Sequence, residues 1–179
     1  MTVAYLGPAG SFSHEAVLAF LPEEEPLAQP SFAAIVAGVE RGAVRFGILP
    51  AENSIAGPVE EVRDLLAASS VRILSEHDLP VRLHLLALAG TSLEAIRTGV
   101  SHPVALRHCA GTLRALGLAI EEVGSTAAAA RDLCGPASAA VASEAAARAY
   151  GRIILRRDIH DRADNLTRFC IVTGSSRLA

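Results

Sequence analysis

The feature that most constrains the fold is a regular alternation of short apolar runs with helix-period segments along the whole chain. The apolar runs at residues 3–6, 44–49 and 167–172 have the length of buried strands, and segments of helical periodicity separate most neighbouring runs. Strands that alternate with helices are typical of a sheet covered by helices on both faces. The pattern predicts an α/β fold and leaves open whether it forms one domain or two lobes.

Composition excludes several classes of partner. Hydrophobic residues make up 51% of the 179 residues, which is enough for a substantial core. The net charge is −3 and no run of Lys or Arg is present, so nucleic acid is a poor candidate partner. No apolar run reaches the roughly 18 residues of a membrane span, and the first residues lack the pattern of a signal peptide. We expect a cytoplasmic protein without a membrane partner.

Cysteine and histidine spacing gives no indication of a disulfide framework or a metal centre. Cys109, Cys134 and Cys170 are odd in number and widely spaced, which is typical of free thiols in a reducing compartment. The six histidines show no metal-ligand spacing. The loop at residues 7–13 lacks the Gly-Lys-Ser/Thr ending of a P-loop and is too short for a dinucleotide fingerprint. We therefore expect neither a metal nor another cofactor.

Cap and turn residues predict where several elements begin. Ser31 has the position of an N-cap for a helix at Phe32–Glu40, and Ser125 has that position for an Ala-rich helix from Thr126. Pro58 is expected to be the first residue of another helix.

Two strands are predicted in the middle of the chain. They are expected at residues 71–74 and 81–89, with the polar stretch at residues 75–80 as the loop between them. One helix is expected to follow Pro103, ending near residue 116.

Four loops share one arrangement, in which a strand ends, small hydroxyl residues follow and a helix begins. Ligands of α/β sheets bind at the carboxyl ends of the strands, where helix N-termini offer N–H groups to anions. The recurrence predicts a small anionic ligand, although capping alone is the more common role of any single Ser or Thr. The loops are Gly10-Ser11-Phe12-Ser13, Asn53-Ser54-Ile55-Ala56-Gly57, Ser101-His102 and Ser125-Thr126.

A polar group, Asn165 with Thr167-Arg168, enters the otherwise apolar last strand. Arg168 can clamp a carboxylate with two parallel hydrogen bonds. The hydroxyl of Thr167 can donate a hydrogen bond to a leaving oxygen, although Thr is also a common strand residue.

Five short motifs occur here in the order in which prephenate dehydratases carry them, so the chain resembles the catalytic domain of that family over about its whole length. They are Gly7-Pro8-Ala9-Gly10-Ser11-Phe12-Ser13, Pro50-Ala51-Glu52-Asn53-Ser54, Ser101-His102-Pro103, Ser125-Thr126-Ala127-Ala128-Ala129 and Asn165-Leu166-Thr167-Arg168-Phe169.

The resemblance implies a two-lobed α/β fold like that of type II periplasmic binding proteins, with the active site in the cleft between the lobes. The first lobe would comprise residues 1–78 and 163–179, and the second residues 79–162. The family usually continues into a phenylalanine-binding ACT domain, which these 179 residues do not contain. The family is commonly dimeric, so a homodimer is expected.

The resemblance also implies the activity, in which prephenate loses carbon dioxide and water and becomes phenylpyruvate during phenylalanine biosynthesis. Thr167 is then the residue required for activity and relays or orients a proton. Glu52 is expected to act as the acid if burial keeps it protonated. The residues expected to contact the substrate are Ser11, Ser13, Asn53, Ser54, Gly57, Ser125, Thr126, Asn165, Arg168 and Phe169.

Two other functions are compatible with the same sequence. An arogenate dehydratase would act on a substrate with an amine in place of the ketone, and a carboxylate near that amine would favour it. A non-catalytic small-anion-binding protein of the same fold would have no need of Thr167. The chain also carries Val104 and His108 where the family usually has glutamines, which questions the substrate contacts of that loop.

Overall fold

The computed structural model describes residues 1–175, and the chain divides into two compact units. Unit 1 contains Met1–Pro8, Phe12–Pro80 and the chain from Asp164 onward, and unit 2 contains Ala9–Ser11 and Val81–Ala163. Each unit mixes helices with its own sheet, which confirms the expected α/β class. Ala9–Ser11 groups with unit 2, although the sequence placed it in the first lobe.

Unit 1 is built on one mixed sheet. Its elements are β1 (Thr2–Leu6), α1 (Phe12–Phe20), β2 (Glu25–Gln29), α2 (Phe32–Glu40), β3 (Phe46–Asn53), β4 (Gly57–Pro58), α3 (Glu60–Ala68), β5 (Arg72–Pro80) and β11 (Leu166–Thr173). The strand order is β2-β1-β3-β11-β5, and the short β4 pairs with β3. β1 is parallel to β2 and β3, whereas β11 is antiparallel to both of its neighbours. The returning strand β11 therefore lies in the interior of the sheet.

Two apolar clusters form the core of unit 1, and alternate residues of β11 contribute to each. Phe169 and Ile171 pack in the cluster that includes α1. Cys170 and Val172 pack in the cluster that includes α2 and α3. This is the alternation that a strand covered on both faces requires.

Unit 2 has a second mixed sheet with the strand order β10-β6-β9-β7-β8. Its elements are β6 (His84–Ala87), a 3₁₀ turn (Leu93–Ala95), β7 (Thr98–Ser101), α4 (Pro103–His108), α5 (Ala110–Ala115), β8 (Ala119–Glu122), α6 (Thr126–Arg131), β9 (Ser138–Ala142), α7 (Glu144–Ala149) and β10 (Ile153–Arg156). β7 is parallel to β8 and β9, whereas β6 is antiparallel to β9 and β10. Alanines of α6, α7 and β9 fill much of its core, so these elements pack closely.

The two cap predictions are confirmed. The hydroxyl oxygen of Ser31 accepts a hydrogen bond from Ala34 N at 3.1 Å, and that of Ser125 accepts one from Ala128 N at 3.0 Å. Each bond satisfies a backbone N–H of the first turn, and α2 and α6 begin at the predicted residues.

Other predicted limits were wrong. Pro58 pairs with Glu52 in β4 and precedes the cap of α3, so it is not a first helical residue. The polar stretch at residues 75–80 belongs to the exposed edge strand β5, whose backbone is held by β11. The helix expected after Pro103 ends at His108 and restarts after Cys109. Within residues 1–175, no helix is both long and apolar enough to cross a membrane.

Candidate active site

The end of β3 and the start of β11 lie side by side where these two interior strands of the unit 1 sheet terminate. Because the two strands are antiparallel, Asn53 lies directly opposite Thr167, and Leu79 of β5 flanks Thr167 on the other side. The 53–57 turn follows Asn53 immediately. Thr167 is therefore placed beside the turn that the Glu-Asn-Ser motif forms.

The side-chain amide of Asn53 makes five hydrogen bonds at this end of the two strands. Its Oδ1 accepts hydrogen bonds from Ile55 N at 3.0 Å and Ala56 N at 2.9 Å, which closes an Asx-type turn. Its Nδ2 lies 2.7 Å from Asn165 Oδ1, 3.0 Å from Thr167 Oγ1 and 3.0 Å from the Leu166 carbonyl oxygen.

These contacts determine whether the Thr167 hydroxyl accepts or donates a hydrogen bond toward Asn53. Backbone N–H groups only donate, so the Asn53 atom that faces Ile55 and Ala56 must be the oxygen. The nitrogen then faces Thr167 and donates to its hydroxyl oxygen. The hydroxyl hydrogen of Thr167 consequently points to another acceptor, which makes Thr167 a hydrogen-bond donor at this site.

Ser54 ties the turn to β11. Its hydroxyl donates to the Asp164 carbonyl oxygen and accepts from Leu166 N, both at 2.9 Å, and its backbone N–H donates to the Leu166 carbonyl oxygen at 2.8 Å. The hydroxyl proton is used inside the protein, so the structure does not support the expected substrate contact of Ser54. Gly57 closes the same turn with a φ of +84°, a conformation that favours glycine, and pairs with Asn53.

Arg168 and Thr167 lie on opposite faces of β11, which corrects the expectation that they line one gap. Adjacent residues of a strand point to opposite faces. Arg168 Nε donates to Asp78 Oδ1 at 3.1 Å, and Arg168 Nη1 lies 3.8 Å from Glu52 Oε2. Carboxylates from both neighbouring strands thus engage the guanidinium that was expected to clamp a substrate carboxylate.

Glu52 does not meet the condition on which its role as the acid depended. Its side chain is 53% exposed and lies in an ion pair with Arg168, so it is not the buried carboxyl that this role requires. We attribute to Glu52 the pairing with Arg168 and no proton transfer.

Two further residues expected to contact the substrate are structural. Phe169 is 1% exposed and packs with Ile48 and Ile171 in the core, which corrects its assignment to substrate binding. Ser13 is buried in the first turn of α1.

The remaining expected residues belong to unit 2. Ser11 is half-buried in the Ala9–Ser11 segment, where Tyr150 Oη donates to the Ala9 carbonyl oxygen at 2.6 Å. Ser125 and the half-buried Thr126 form the start of α6.

The loop that begins with Ser101 is also structural in large part. Ser101 is fully buried and donates to the Val141 carbonyl oxygen at 2.6 Å. His102 caps α4, because its Nδ1 accepts from Val104 N at 3.3 Å.

The structure therefore gathers only part of the expected set around Thr167. The residues brought together there are Asn53, Ser54, Gly57, Asn165 and Thr167. Sequence reasoning missed Asp78, because the polar stretch around it was interpreted as a loop. The alternation of Glu76, His77, Asp78 and Leu79 could have indicated an edge strand with acidic side chains facing Arg168. Among residues 1–175, no group of three or more His, Cys, Asp or Glu side chains could hold a metal ion.

Comparison with known proteins agrees with the motifs. A family model described as prephenate dehydratase matches residues 3–177. Arogenate dehydratase/prephenate dehydratase 2 of Arabidopsis thaliana, a chloroplastic protein, is 40% identical over 185 residues, which cover 98% of this chain and 49% of that protein.

Two solved structures are similar in both fold and sequence. GqqA, described as a novel type of quorum quenching acylase, has a TM-score of 0.91 at 34% identity, with 100% of this chain and 65% of that chain covered. Prephenate dehydratase of Arthrobacter aurescens, solved with L-Phe, has a TM-score of 0.89 at 27% identity, with 99% and 62% covered. The chain spans about half the length of the curated relatives it matches. From the family match across nearly all of its residues, this chain belongs to the prephenate dehydratase family.

Proposed function

We propose that this protein is a prephenate dehydratase, a carbon–oxygen lyase that converts prephenate to phenylpyruvate in phenylalanine biosynthesis. The observation that carries the proposal is the bond from Asn53 Nδ2 to Thr167 Oγ1 at 3.0 Å. That bond makes the Thr167 hydroxyl a donor, which is the polarity that departure of a hydroxide requires. Membership of the family supports the same reaction.

The reaction asks little covalent chemistry of the protein. The bond between the ring and its carboxylate breaks, its electron pair enters the ring, and the carbon–oxygen bond to the hydroxyl breaks as the ring becomes aromatic. Carbon dioxide and hydroxide leave, and the hydroxide is protonated to water. Thr167 donates a hydrogen bond to the departing oxygen and stabilises its developing charge. Because an aliphatic hydroxyl is a weak acid, Thr167 passes on a proton from water rather than supplying its own.

Substrate positioning is assigned to the remaining expected residues, which belong to unit 2. Ser11, Ser125 and Thr126 offer hydroxyl groups at the starts of α1 and α6. The substrate carboxylates are anions, and such groups suit them as hydrogen-bond partners. Arg168 is left out of this set because Asp78 and Glu52 already engage it.

Arogenate is the second candidate substrate, because the name of the Arabidopsis relative includes both activities. Arogenate differs from prephenate by an amine in place of the side-chain ketone, and the chemistry at the ring is identical. Parallel assays at equal substrate concentration compare kcat/KM for the two, and the larger value identifies the substrate.

An acyl transfer, the activity named for GqqA, would require different chemistry of Thr167 if Thr167 were its nucleophile. A threonine nucleophile has to lose its proton to a neighbouring base. Here the hydroxyl oxygen of Thr167 accepts from Asn53, an amide that takes no proton. This geometry favours the dehydratase over an acyl transfer at Thr167.

The test is conversion of prephenate to phenylpyruvate by the purified protein and by Thr167→Ala. We expect the substitution to lower kcat by a factor on the order of 10² or more, since groups of this kind typically contribute that much. Thr173→Ala is a matched control, because Thr173 lies at the other end of the same strand and its hydroxyl donates to the Arg45 carbonyl oxygen. Equal kcat values for the two variants would reject the role of Thr167. Turnover of neither prephenate nor arogenate by the unmodified protein would reject the function.

Compartment and assembly complete the proposal. Cys109 and Cys170 are buried free thiols, which supports a reducing compartment such as the cytoplasm. We also propose a homodimer, and a monomer mass by light scattering at working concentration would reject it.

A further inference from the structure

We propose that Asn165 is a positioning residue, which acts through the amide of Asn53 to keep the Thr167 hydroxyl oriented as a donor. Its kinetic consequence rests on the proposed function, because Thr167 is the group that it serves. Its structural consequence does not.

Burial removes Asn165 from the set of residues that contact the substrate. Its side chain is 3% exposed, and its Oδ1 accepts from Asn53 Nδ2 at 2.7 Å. That is the shortest of the three contacts of the Asn53 amide nitrogen. Asn165 therefore accepts the shortest hydrogen bond from the Asn53 amide nitrogen, which also bonds to Thr167.

The number of hydrogens on the Asn53 amide nitrogen shows how the bond to Asn165 orients the amide. The amide nitrogen of Asn53 carries two hydrogens and faces three acceptors. We assign one shared hydrogen to the two longer contacts, those with the Leu166 carbonyl oxygen and Thr167 Oγ1 at 3.0 Å each. Asn165 takes the other hydrogen and so fixes the plane of the amide.

Loss of the acceptor at residue 165 removes one hydrogen bond from the nitrogen side of the Asn53 amide. The amide of Asn53 is still held at Oδ1 by Ile55 N and Ala56 N, but its nitrogen loses its shortest contact, so the plane of the amide can turn about the Oδ1 side. The bond to Thr167 Oγ1 then lengthens, and the direction of the Thr167 hydroxyl hydrogen is no longer fixed. The Thr167 hydroxyl stabilises the departing oxygen only when its hydrogen points toward that oxygen. Loss of this orientation therefore lowers kcat more than it weakens substrate binding.

Two substitutions in the whole protein separate positioning from bulk. Asn165→Leu keeps a similar branched shape but removes the acceptor, whereas Asn165→Asp keeps an oxygen that can accept from Asn53. We expect Asn165→Leu to lower kcat about 10-fold or more with KM within about 3-fold, and Asn165→Asp to retain most of kcat. Equal loss in both variants, or a loss confined to KM, would overturn the proposal.

A double-mutant cycle distinguishes positioning from a general structural role. In the Thr167→Ala background the hydroxyl is already absent, so Asn165→Leu is expected to cause no further loss of kcat. A structural defect would lower the residual rate again and would overturn the proposal.

A crystal structure of Asn165→Leu tests the inference without any turnover. We expect the distance from Asn53 Nδ2 to Thr167 Oγ1 to exceed 3.5 Å, beyond hydrogen-bond range, whereas an unchanged contact would overturn the proposal. If Asn165→Leu does not fold, Asn165→Ala replaces it, since that change also removes the acceptor at residue 165, and the same two outcomes decide. If the unmodified protein is inactive, the proposed function is rejected. The crystal structure of the variant still tests the positioning role of Asn165, because it requires no turnover.

Discussion

His84 shows how a single buried side chain of unit 2 couples to pH. Its ring is almost fully buried, and its Nδ1 accepts a hydrogen bond from Asp158 N at 2.9 Å. Burial lowers the pKa of His84 below its ordinary value of 6.5, and the carboxylate of Asp158 opposes that shift only in part. A protonated ring would lose the acceptor that holds Asp158, whose φ of 51° is unusual for a residue with a side chain.

We predict that His84→Asn weakens the acid sensitivity of the protein. With a depressed pKa in the folded state, the unfolded chain binds more protons just below pH 6.5, so the free energy of unfolding falls as the pH is lowered through that range. Asn keeps an acceptor in the position of Nδ1 and does not titrate. Urea unfolding at a series of pH values is expected to give a shallower slope below pH 6.5 for the variant. An identical slope would show that His14 and His108, whose pKa values burial also lowers, carry the effect.

At the scale of elements, the Ala9–Ser11 segment is held against α7 by both main-chain and side-chain contacts. Ser143 Oγ caps α7 through Ala146 N at 3.0 Å and also donates to the Gly10 carbonyl oxygen at 2.9 Å. Gly10 has a φ of +80°, and a Cβ there would lie 2.7 Å from Ala146 Cα. The position excludes side chains for both reasons.

We predict that Gly10→Ala destabilises the protein by about 2–5 kcal/mol, the sum of a left-handed backbone penalty and a steric clash in a packed region. Gly117→Ala is the matched control, since Gly117 has a φ of +67° and nothing within 4 Å of an added Cβ. That variant carries only the backbone penalty of about 1–2 kcal/mol. Urea unfolding measures both changes, and equal losses would show that the contact with Ala146 has no energetic weight.

The same elements show what sequence could and could not predict. The caps at Ser31 and Ser125 were predicted because the bonds that define them join residues three positions apart. The grouping of Ala9–Ser11 with unit 2 depends on a bond between residues 133 positions apart, for which the local sequence carries no pattern. The opposite directions of Thr167 and Arg168 could have been predicted from strand alternation. Their carboxylate and amide partners depend on the register of β11 with β3 and β5, which periodicity leaves undetermined.

At the scale of the whole molecule, each unit carries one buried thiol that reports on its packing. Cys170 lies in the core of unit 1, and Cys109 is buried between α4 and α5 of unit 2. Desolvation raises the pKa of Cys109 to about 12 and that of Cys170 to about 11, with nearby carboxylates adding to the shift. Because the thiolate is the reactive form, both thiols are inert in the folded protein near neutral pH. Cys134 is exposed and carries no such protection.

We therefore predict that iodoacetamide at pH 8 modifies the folded protein once, at Cys134, and the protein in denaturant three times. Intact mass gives the number of adducts, and Cys134→Ser is the control that should remain unmodified when folded. Adducts at Cys109 alone would mean that unit 2 opens while unit 1 stays closed, since the two thiols lie in separate cores. Equal and rapid labelling of Cys109 and Cys170 under native conditions would contradict the packing of both units. The order in which the two thiols react as denaturant is raised thus ranks the stabilities of the two cores within one chain.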